Sequence, residues 1–361
     1  MNNNKSIARY MAAALVTLLS LGASANVSAK LAGHNVILVH GLIITDLLKA
    51  PTKDEILSRR KVSDFWQSRA EGYLNWSEAE RLEGGIAEMV FEQAKKLSAE
   101  GVCNNGCVLV THSTGDLVSR YFLAHQEAWM RAAGYQPLNI VATIDFAGAG
   151  GGTDLADIAV AAANSEYVPL PMKLAAGAVL GLNLDITDYD QLGVVLDLTT
   201  SSARNHASWP NSIPRLRFSV SGGDLADPTK PLIRGADDTV VPAHSSCGAS
   251  APDAIQSCSS SIAYDGKRTW QFGPRGLWHN HFPVLMAADY DHFTLVSDQH
   301  QGRTTYVLNN FAAGLNVDFG TTTRTVTRRW WEVWKETGTW QYVAGSENTS
   351  FSRLIYQTLN D

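Results

Sequence analysis

The chain has 361 residues, of which 45% are hydrophobic and 18% are charged. This composition is typical of a globular protein, and the length allows one large α/β domain with an insertion, or two domains. The formal net charge is −6 and no basic stripe is present, so nucleic acid is excluded as an expected partner.

The N-terminal residues have the pattern of a secretory signal peptide. Lys5 and Arg9 precede an apolar run at residues 10–21, and small residues suited to cleavage follow at 23–29. The run is too short to cross a hydrocarbon core of ~30 Å, and no later stretch reaches ~18 consecutive apolar residues. We therefore predict that residues 1–29 are removed on export, and that the mature protein is secreted or periplasmic without a transmembrane segment.

Four cysteines in an exported chain indicate two disulfides. Of the possible pairings we favour Cys103–Cys107 and Cys247–Cys258, because each closes a short loop rich in Asn, Gly or Ser. The spacings do not fit a zinc ribbon, so no metal site is predicted from the cysteines.

The first elements of the mature chain are a strand and a helix separated by an irregular stretch. Residues 35–39 (NVILV) form a buried-strand pattern that ends at His40-Gly41-Leu42. Residues 43–80 are polar and irregular, which favours loops and short helices. Residues 81–99 carry apolar side chains at helical spacing.

The most informative segment is THSTG at residues 111–115. It follows the apolar run 108–110 and opens the amphipathic run 116–123, an order that predicts a strand, a sharp turn and a helix. Such a turn exposes a serine hydroxyl beside the N–H groups of a helix N-terminus. Ser113 is therefore a candidate nucleophile, which would need a neighbouring base and a site for the oxyanion.

The middle of the chain continues the alternation of strands and helices. Residues 138–146 predict a strand, and the glycine loop that follows at 147–153 lacks the dinucleotide spacing and the P-loop lysine, so a nucleotide cofactor is not expected. Residues 154–205 predict helices that form either a lid over a pocket or an extra packing layer. Residues 215–220 (RLRFSV) predict a further strand.

This alternation predicts a mainly parallel sheet with helices on both faces. We assign residues 30–315 to one domain with the insertion at 154–205, closed by a helix at 306–315. Residues 316–361 are an extension in which Thr, Val and Trp predict a β-hairpin. The hairpin either packs on the domain or presents an aromatic face to lipid or polymer surfaces through Trp330, Trp331, Trp334 and Trp340.

A serine nucleophile in a fold of this kind takes its acid and then its histidine from later in the chain. Asp237 and Asp238 lie in a loop after the predicted strand 215–220, at the carboxyl edge where sites of α/β sheets form. His292 and His281 both follow this loop. We favour Asp238 with His292, and keep Asp237 and His281 as alternatives.

Several segments carry a resemblance to a known family. The chain resembles the true lipases of the Pseudomonas and Burkholderia type, within the α/β-hydrolase superfamily. The similarity spans roughly residues 34–315 and is carried by residues 36–42, 111–115, 146–157, 198–200, 238–241 and 290–293.

The resemblance implies an α/β-hydrolase fold with a helical lid and a secreted ester hydrolase that acts on ester or lipid substrates without a cofactor. It also implies a triad of Ser113, Asp238 and His292, with backbone N–H groups of Leu42 and Thr114 as the oxyanion hole. Phospholipases, acyltransferases and polyester depolymerases share such a triad. A non-catalytic surface-binding module on the same scaffold is the alternative from another class.

The chain departs from the family at three places. Thr111 stands where the elbow has its first glycine, and Gly150 stands near the position of a family histidine. The family binds calcium through an aspartate just after the catalytic histidine, where this chain has Phe293 and Thr294. A calcium ion is therefore not expected, and no metal ligand is assigned.

Overall fold

The structure is a computed structural model that leaves part of the chain undescribed. The described residues are 30–49, 51–60, 62–164, 167–180, 189–206, 212–222, 229–258, 275–307, 315, 317–327 and 337–361. The predicted signal peptide at 1–29 lies outside them, as do Trp330, Trp331 and Trp334.

Nine strands of the described residues form a single sheet in the order β2-β1-β3-β4-β5-β6-β7-β9-β8. Neighbours among the first six strands of this order run parallel, and the last three strands pair antiparallel. The strands are β1 (Asn35–Val39), β2 (Ala70–Tyr73), β3 (Cys107–His112), β4 (Ile140–Phe146), β5 (Arg215–Val220), β6 (His281–Ala287), β7 (Thr305–Tyr306), β8 (Thr321–Thr327) and β9 (Thr337–Val343).

Helices pack on both faces of this sheet, which confirms the predicted fold class. They are α1 (Ile44–Lys49), α2 (Lys53–Leu57), α3 (Asp64–Gln67), α4 (Ala87–Ala99), α5 (Gly115–Ala132), α6 (Asp154–Ala163), α7 (Leu170–Leu180), α8 (Thr200–His206), α9 (Ala243–Ser246) and α10 (Phe351–Asn360). Alternate residues of β1 belong to two different cores, because side chains of a strand alternate between faces. One core includes α4, α5 and α6, and the other includes α3 and α10.

The order of the strands creates a crevice between β1 and β3. From β1 the chain moves to β2 on one side, whereas from β3 it moves to β4 on the other side. Adjacent parallel strands whose connections diverge in this way leave a crevice at their carboxyl ends, and ligands of α/β proteins bind there. The predicted nucleophile elbow follows β3 and therefore lies at this crevice.

The edge strand β2 lies within the stretch 43–80, where the sequence predicted loops and short helices. Its four residues, AEGY, carry no apolar alternation. Glycine suits its interior, because a Cβ on Gly72 would lie 2.7 Å from a methyl group of Leu97 and 2.8 Å from one of Ile37, and these side chains would have to shift. The strand therefore forms because its backbone pairs with β1 and because a helix packs closely over it.

The insertion at 154–205 contains α6, α7, a 3-10 segment (Tyr189–Leu196) and α8. Leu155 and Leu192 are buried in the core on the α5 side of the sheet. Leu170 and Leu174 on α7 are exposed. Part of the insertion is thus an integral packing layer, and α7 presents apolar side chains to solvent.

The C-terminal segment extends the sheet and covers one of its faces. The described backbone of β8 and β9 forms the predicted hairpin, in which Thr327 pairs with Thr337. Beyond it, Phe351 and Ile355 of α10 are fully buried, and Trp66 Nε1 donates a 3.0 Å hydrogen bond to Ser352 Oγ. These residues therefore contribute to the second core.

The sequence predicted a helix at 306–315, but its first residue, Tyr306, belongs to β7, which pairs antiparallel with β6. Residues 308–314 lie outside the described part of the chain.

Disulfides join Cys103 to Cys107 and Cys247 to Cys258. These are the two pairs that were predicted because each closes a short loop. Among the described helices, none has both the length and the apolar character needed to span a membrane.

Candidate active site

Ser113 lies on a strained turn between β3 and α5. Its φ is +55°, a left-handed value that is uncommon for a residue with a Cβ. Backbone hydrogen bonds hold the turn: Ser113 N–H donates to Phe146 O at 3.0 Å, and Ala149 N–H donates to Ser113 O at 2.9 Å. Strain of this kind, about 1–3 kcal/mol, persists where the surrounding structure imposes it, and it is common at functional sites.

Close packing around the turn explains two glycines. A Cβ on Gly115 would lie 2.4 Å from Val39 O, so α5 can begin here only with glycine against the end of β1. A Cβ on Gly41 would lie 2.8 Å from Ser113 Cβ. The loop after β1 and the nucleophile turn are therefore in direct contact across the crevice.

Thr111 fits at the first position of the elbow because its hydroxyl has a buried partner. The residue is fully buried, and its Oγ1 donates a 2.7 Å hydrogen bond to Asp145 Oδ1 on β4. A buried hydroxyl that is hydrogen-bonded avoids the desolvation cost of an unsatisfied polar group. The departure from the family's glycine is thus accommodated by the neighbouring strand.

Asp238 and His292 are hydrogen-bonded to each other in a buried position. His292 Nδ1 lies 2.9 Å from Asp238 Oδ2, and His292 N–H donates to Asp238 O at 2.9 Å. The other carboxylate oxygen, Oδ1, accepts from the N–H groups of Val240 and Val241 at 3.0 and 2.7 Å. The acid is therefore fixed by its own loop and oriented toward the imidazole.

Asp237 points into a different environment. Its carboxylate accepts from Lys230 Nζ at 2.8 Å and from the N–H of Thr239 at 3.0 Å. Burial raises the pKa of Asp237, and the hydrogen bond from Lys230 acts in the opposite direction. Of the two adjacent aspartates, Asp238 is the one that the structure pairs with His292.

His281 lies at the other end of the sheet. It is the first residue of β6 and is in register with Arg215, the first residue of β5, whereas Ser113 follows the last residue of β3. Its Nδ1 lies 2.8 Å from Asn280 Oδ1. Burial and the nearby positive charges of Arg120, Arg217 and Arg215 lower its pKa well below the usual range. His281 is thus a buried neutral residue, remote from the crevice.

His112 links the histidine loop to the nucleophile turn. Its Nε2 donates to His292 O at 3.0 Å, and the two imidazole rings lie 4.7 Å apart. Burial and the proximity of His292 lower the pKa of His112 to about 3, so its ring is neutral at physiological pH. Because His112 directly precedes Ser113, this contact brings the loop after β6 to the elbow.

The predicted oxyanion donors flank Ser113. Thr114 precedes the first residue of the 18-residue helix α5, where N–H groups lack intrahelical acceptors and the helix dipole favours negative charge. Leu42 follows Gly41 on the opposite side of the crevice. The preceding His40 is stacked on Trp76 at 4.9 Å, and Trp76 Nε1 donates to His40 O at 3.1 Å.

The sheet order, the elbow after β3, the acid loop after β5 and the histidine loop after β6 form one architecture. The chain has an α/β-hydrolase fold. No protein-family model matches the chain, and no curated protein does.

The chain is similar to solved structures of two bacterial lipases and of the protein EstA. The mature lipase BlEst2 of Bacillus licheniformis is 12% identical, with a TM-score of 0.42 over 73% of this chain and 86% of that one. EstA of Clostridium botulinum is 13% identical, with a TM-score of 0.39 over 73% and 83%. The lipase of Staphylococcus hyicus is 13% identical, with a TM-score of 0.39 over 73% and 88%. At such identities and TM-scores, the chemistry of this chain has to be argued from its own residues.

A buried ion network beneath the elbow was not foreseen from the sequence. Asp116, in the first turn of α5, accepts from Arg215 and Arg217 at 2.7 Å each, and Arg217 also donates to Asp145 at 3.0 Å. Burial opposes ionisation of Asp116, but the charges of Arg217 and Arg215 hold its pKa well below the usual range. The alternation in RLRFSV was the available signal, because it places both arginines on one face of β5.

This network accounts for the glycine loop after β4. Gly150 N–H donates to Asp116 Oδ2 at 2.8 Å, and Arg120 Nη1 donates to Gly150 O at 2.8 Å. A Cβ on Gly150 would lie 2.4 Å from Arg120 Nη1. A side chain at residue 150 would therefore displace Arg120 or Asp116 from this network.

Proposed function

We propose that this protein is a secreted serine carboxylic-ester hydrolase of the lipase or esterase type, which works through an acyl-enzyme on Ser113. The observation that carries the proposal is the buried 2.9 Å hydrogen bond between His292 and Asp238, in a loop that His112 holds against the nucleophile turn. Two disulfides fit an oxidising compartment, which supports export.

The proposed reaction has two halves. Ser113 Oγ attacks the ester carbonyl while His292 accepts its proton and then donates it to the leaving alcohol. Asp238 holds the imidazole with its proton on Nδ1 and stabilises the imidazolium. The N–H groups of Leu42 and Thr114 stabilise the oxyanion, a contribution of about 3 kcal/mol per donor in comparable sites. Water then releases the acid by the same route.

Replacing Ser113 with Ala is expected to abolish ester turnover and labelling by a fluorophosphonate, while the thermal unfolding temperature stays close to that of the wild type. The hydroxyl is the atom that forms the acyl bond, and the methyl group of alanine fits the same turn. Hydrolysis of a short-chain chromogenic ester and mass spectrometry of the labelled peptide measure both effects.

Ser245 provides the matched control, since it is another buried serine, in the short helix α9 after β5. The variant Ser245→Ala should keep the labelling at Ser113. Undiminished turnover by Ser113→Ala would refute the assignment. A wild-type protein that is folded but does not react would instead be a surface-binding module.

Exposed apolar side chains beside His292 and on α7 of the insertion support lipid or ester substrates. Phe293, directly after His292, is 59% exposed, and Leu170 and Leu174 of α7 are also exposed. A panel of short and long acyl esters, phospholipids and polyesters separates a lipase from a phospholipase or a polyester depolymerase. Acyl transfer to an added alcohol identifies an acyltransferase.

Chelation of divalent cations is expected to leave ester turnover unchanged. The proposed reaction needs no cofactor, and Asp291 Oδ1 beside the histidine is engaged by the N–H groups of Phe293 and Thr294 at 2.9 and 2.8 Å. Initial rates before and after EDTA treatment test this expectation. A loss of activity that added Ca²⁺ restores would contradict it.

A further inference from the structure

Glu78 is a buried carboxylate that touches the proposed oxyanion loop and that the proposed reaction does not use. The side chain is fully buried. Its Oε1 accepts a 3.2 Å hydrogen bond from the N–H of Ile43, the residue after Leu42. The carboxylate therefore bonds the backbone one residue away from a proposed oxyanion donor.

The Glu78 carboxylate accepts hydrogen bonds from a backbone N–H and a guanidinium. Arg59 Nη1 lies 3.2 and 3.1 Å from its two oxygens, and the other end of this guanidinium pairs with Asp46 at 2.7 Å. His40 Nδ1 lies 3.8 Å from Oε1, and its own hydrogen-bond acceptor is Gly41 O at 2.8 Å. The Nε2 of His40 accepts from the N–H of Trp76 at 3.3 Å, which places the ring proton on Nδ1.

Such surroundings suit an ionised carboxylate, because a protonated carboxyl would point a donor at other donors. Burial nevertheless raises the pKa of Glu78 to about 7, while Arg59 acts to lower it and Asp46 to raise it. The side chain therefore changes between the carboxylate and the acid near neutral pH, which weakens or restores its hold on Ile43.

We propose that Glu78 is a positioning residue whose carboxylate sets the backbone at residues 42–43 for oxyanion binding, so that protonation of Glu78 slows catalysis. The proposal rests on the proposed ester hydrolysis. It adds a second proton to the acid side of the pH profile, since His292 must also be neutral to accept the proton of Ser113.

The first test measures kcat/KM of the wild type from about pH 9 to about pH 5 and counts the protonations that lower it on the acid side of the profile. Two protonations are expected, one of them the protonation of Glu78 near pH 7. In Glu78→Gln only one protonation should remain. At pH ~8 the kcat of Glu78→Gln should be about 10-fold below that of the wild type, with KM unchanged. This loss is smaller than the ~10²–10³-fold loss in kcat that follows removal of an entire oxyanion-hole donor, because the donor is displaced rather than removed.

Asp197→Asn is the matched control. Asp197 is also a buried carboxylate that accepts from an arginine, Arg81, at 2.6 Å and from a backbone N–H, that of Leu82, at 2.8 Å. Although burial opposes it, hydrogen bonds from His206 and Arg81 lower its pKa, so it stays ionised throughout the tested range. This variant should keep the two-step profile.

Stability supplies a readout independent of activity. The pKa of Glu78 is raised from 4.5 to about 7 in the folded state, so the wild type loses stability as pH rises across that interval. The unfolding temperature of Glu78→Gln relative to the wild type should therefore increase with pH, whereas that of Asp197→Asn should stay level.

A wild-type acid limb with a single protonation would overturn the proposal, whether or not Glu78→Gln folds. So would an acid limb that still contains two protonations in Glu78→Gln. Absence of all turnover and labelling in the wild type would instead contradict the proposed function itself.

Discussion

Replacement of Asp238 by Asn is expected to lower kcat for ester hydrolysis by about 10⁴-fold, with little change in the fold. The carboxylate accepts from His292 Nδ1 at 2.9 Å, whereas the amide can present a donor there and favour the wrong imidazole tautomer. Steady-state kinetics at saturating substrate, together with circular dichroism of the folded variant, measure the effect.

Asp237→Asn is the control for this prediction, since it changes the adjacent residue in the same loop. Asp237 bonds Lys230 and Thr239 rather than a histidine, so its replacement should alter kcat by less than about 5-fold. Equal losses in the two variants, or a larger loss in Asp237→Asn, would show that the acid is assigned to the wrong residue.

Replacement of Asp116 by Ala is expected to destabilise the protein by about 3–5 kcal/mol. The side chain is fully buried and pairs with Arg215 and Arg217, so its removal leaves two buried guanidinium groups short of a counter-charge. Urea unfolding followed by far-ultraviolet circular dichroism gives the free energy of unfolding.

Glu127→Gln provides the comparison, because it removes an acid from the same helix at an exposed ion pair with Arg131. Such surface pairs contribute less than about 1 kcal/mol. The pKa of Asp116 is lowered in the folded state, so its stabilisation is present above its ordinary pKa of 3.8 and is lost as pH falls below it. Similar stabilities for the two variants would contradict the role of the network.

Local patterns in the sequence were sufficient for the elements that lie close to the elbow. The apolar run of β3, the turn at 111–115 and the amphipathic start of α5 are contiguous, so their geometry depends on neighbouring residues. The parallel arrangement of the sheet followed from the alternation of strands and helices, and the disulfide pairs followed from short loop lengths. Edge strand β2 was not predicted, because it forms by pairing with β1 and its own residues carry no strand pattern.

The choice between neighbouring candidates depended on contacts between distant segments. Asp237 and Asp238 have the same local sequence context, and only the packing of the loop after β6 turns Asp238 toward His292. His281 and His292 are separated by the length of β6, which places them at opposite ends of the sheet.

The sequence alone therefore determined the type of fold, the position of the serine on the turn after β3 and the order of the candidate acid and base along the chain. Local periodicity and chain order are sufficient for these features. Only the tertiary structure decided which carboxylate meets which imidazole, and it alone revealed Glu78 and the ion network around Asp116. Strand register and burial create these pairings between residues far apart in the chain. Local alternation such as that in RLRFSV indicates the face of a strand on which a side chain lies, but not the distant partner that it meets.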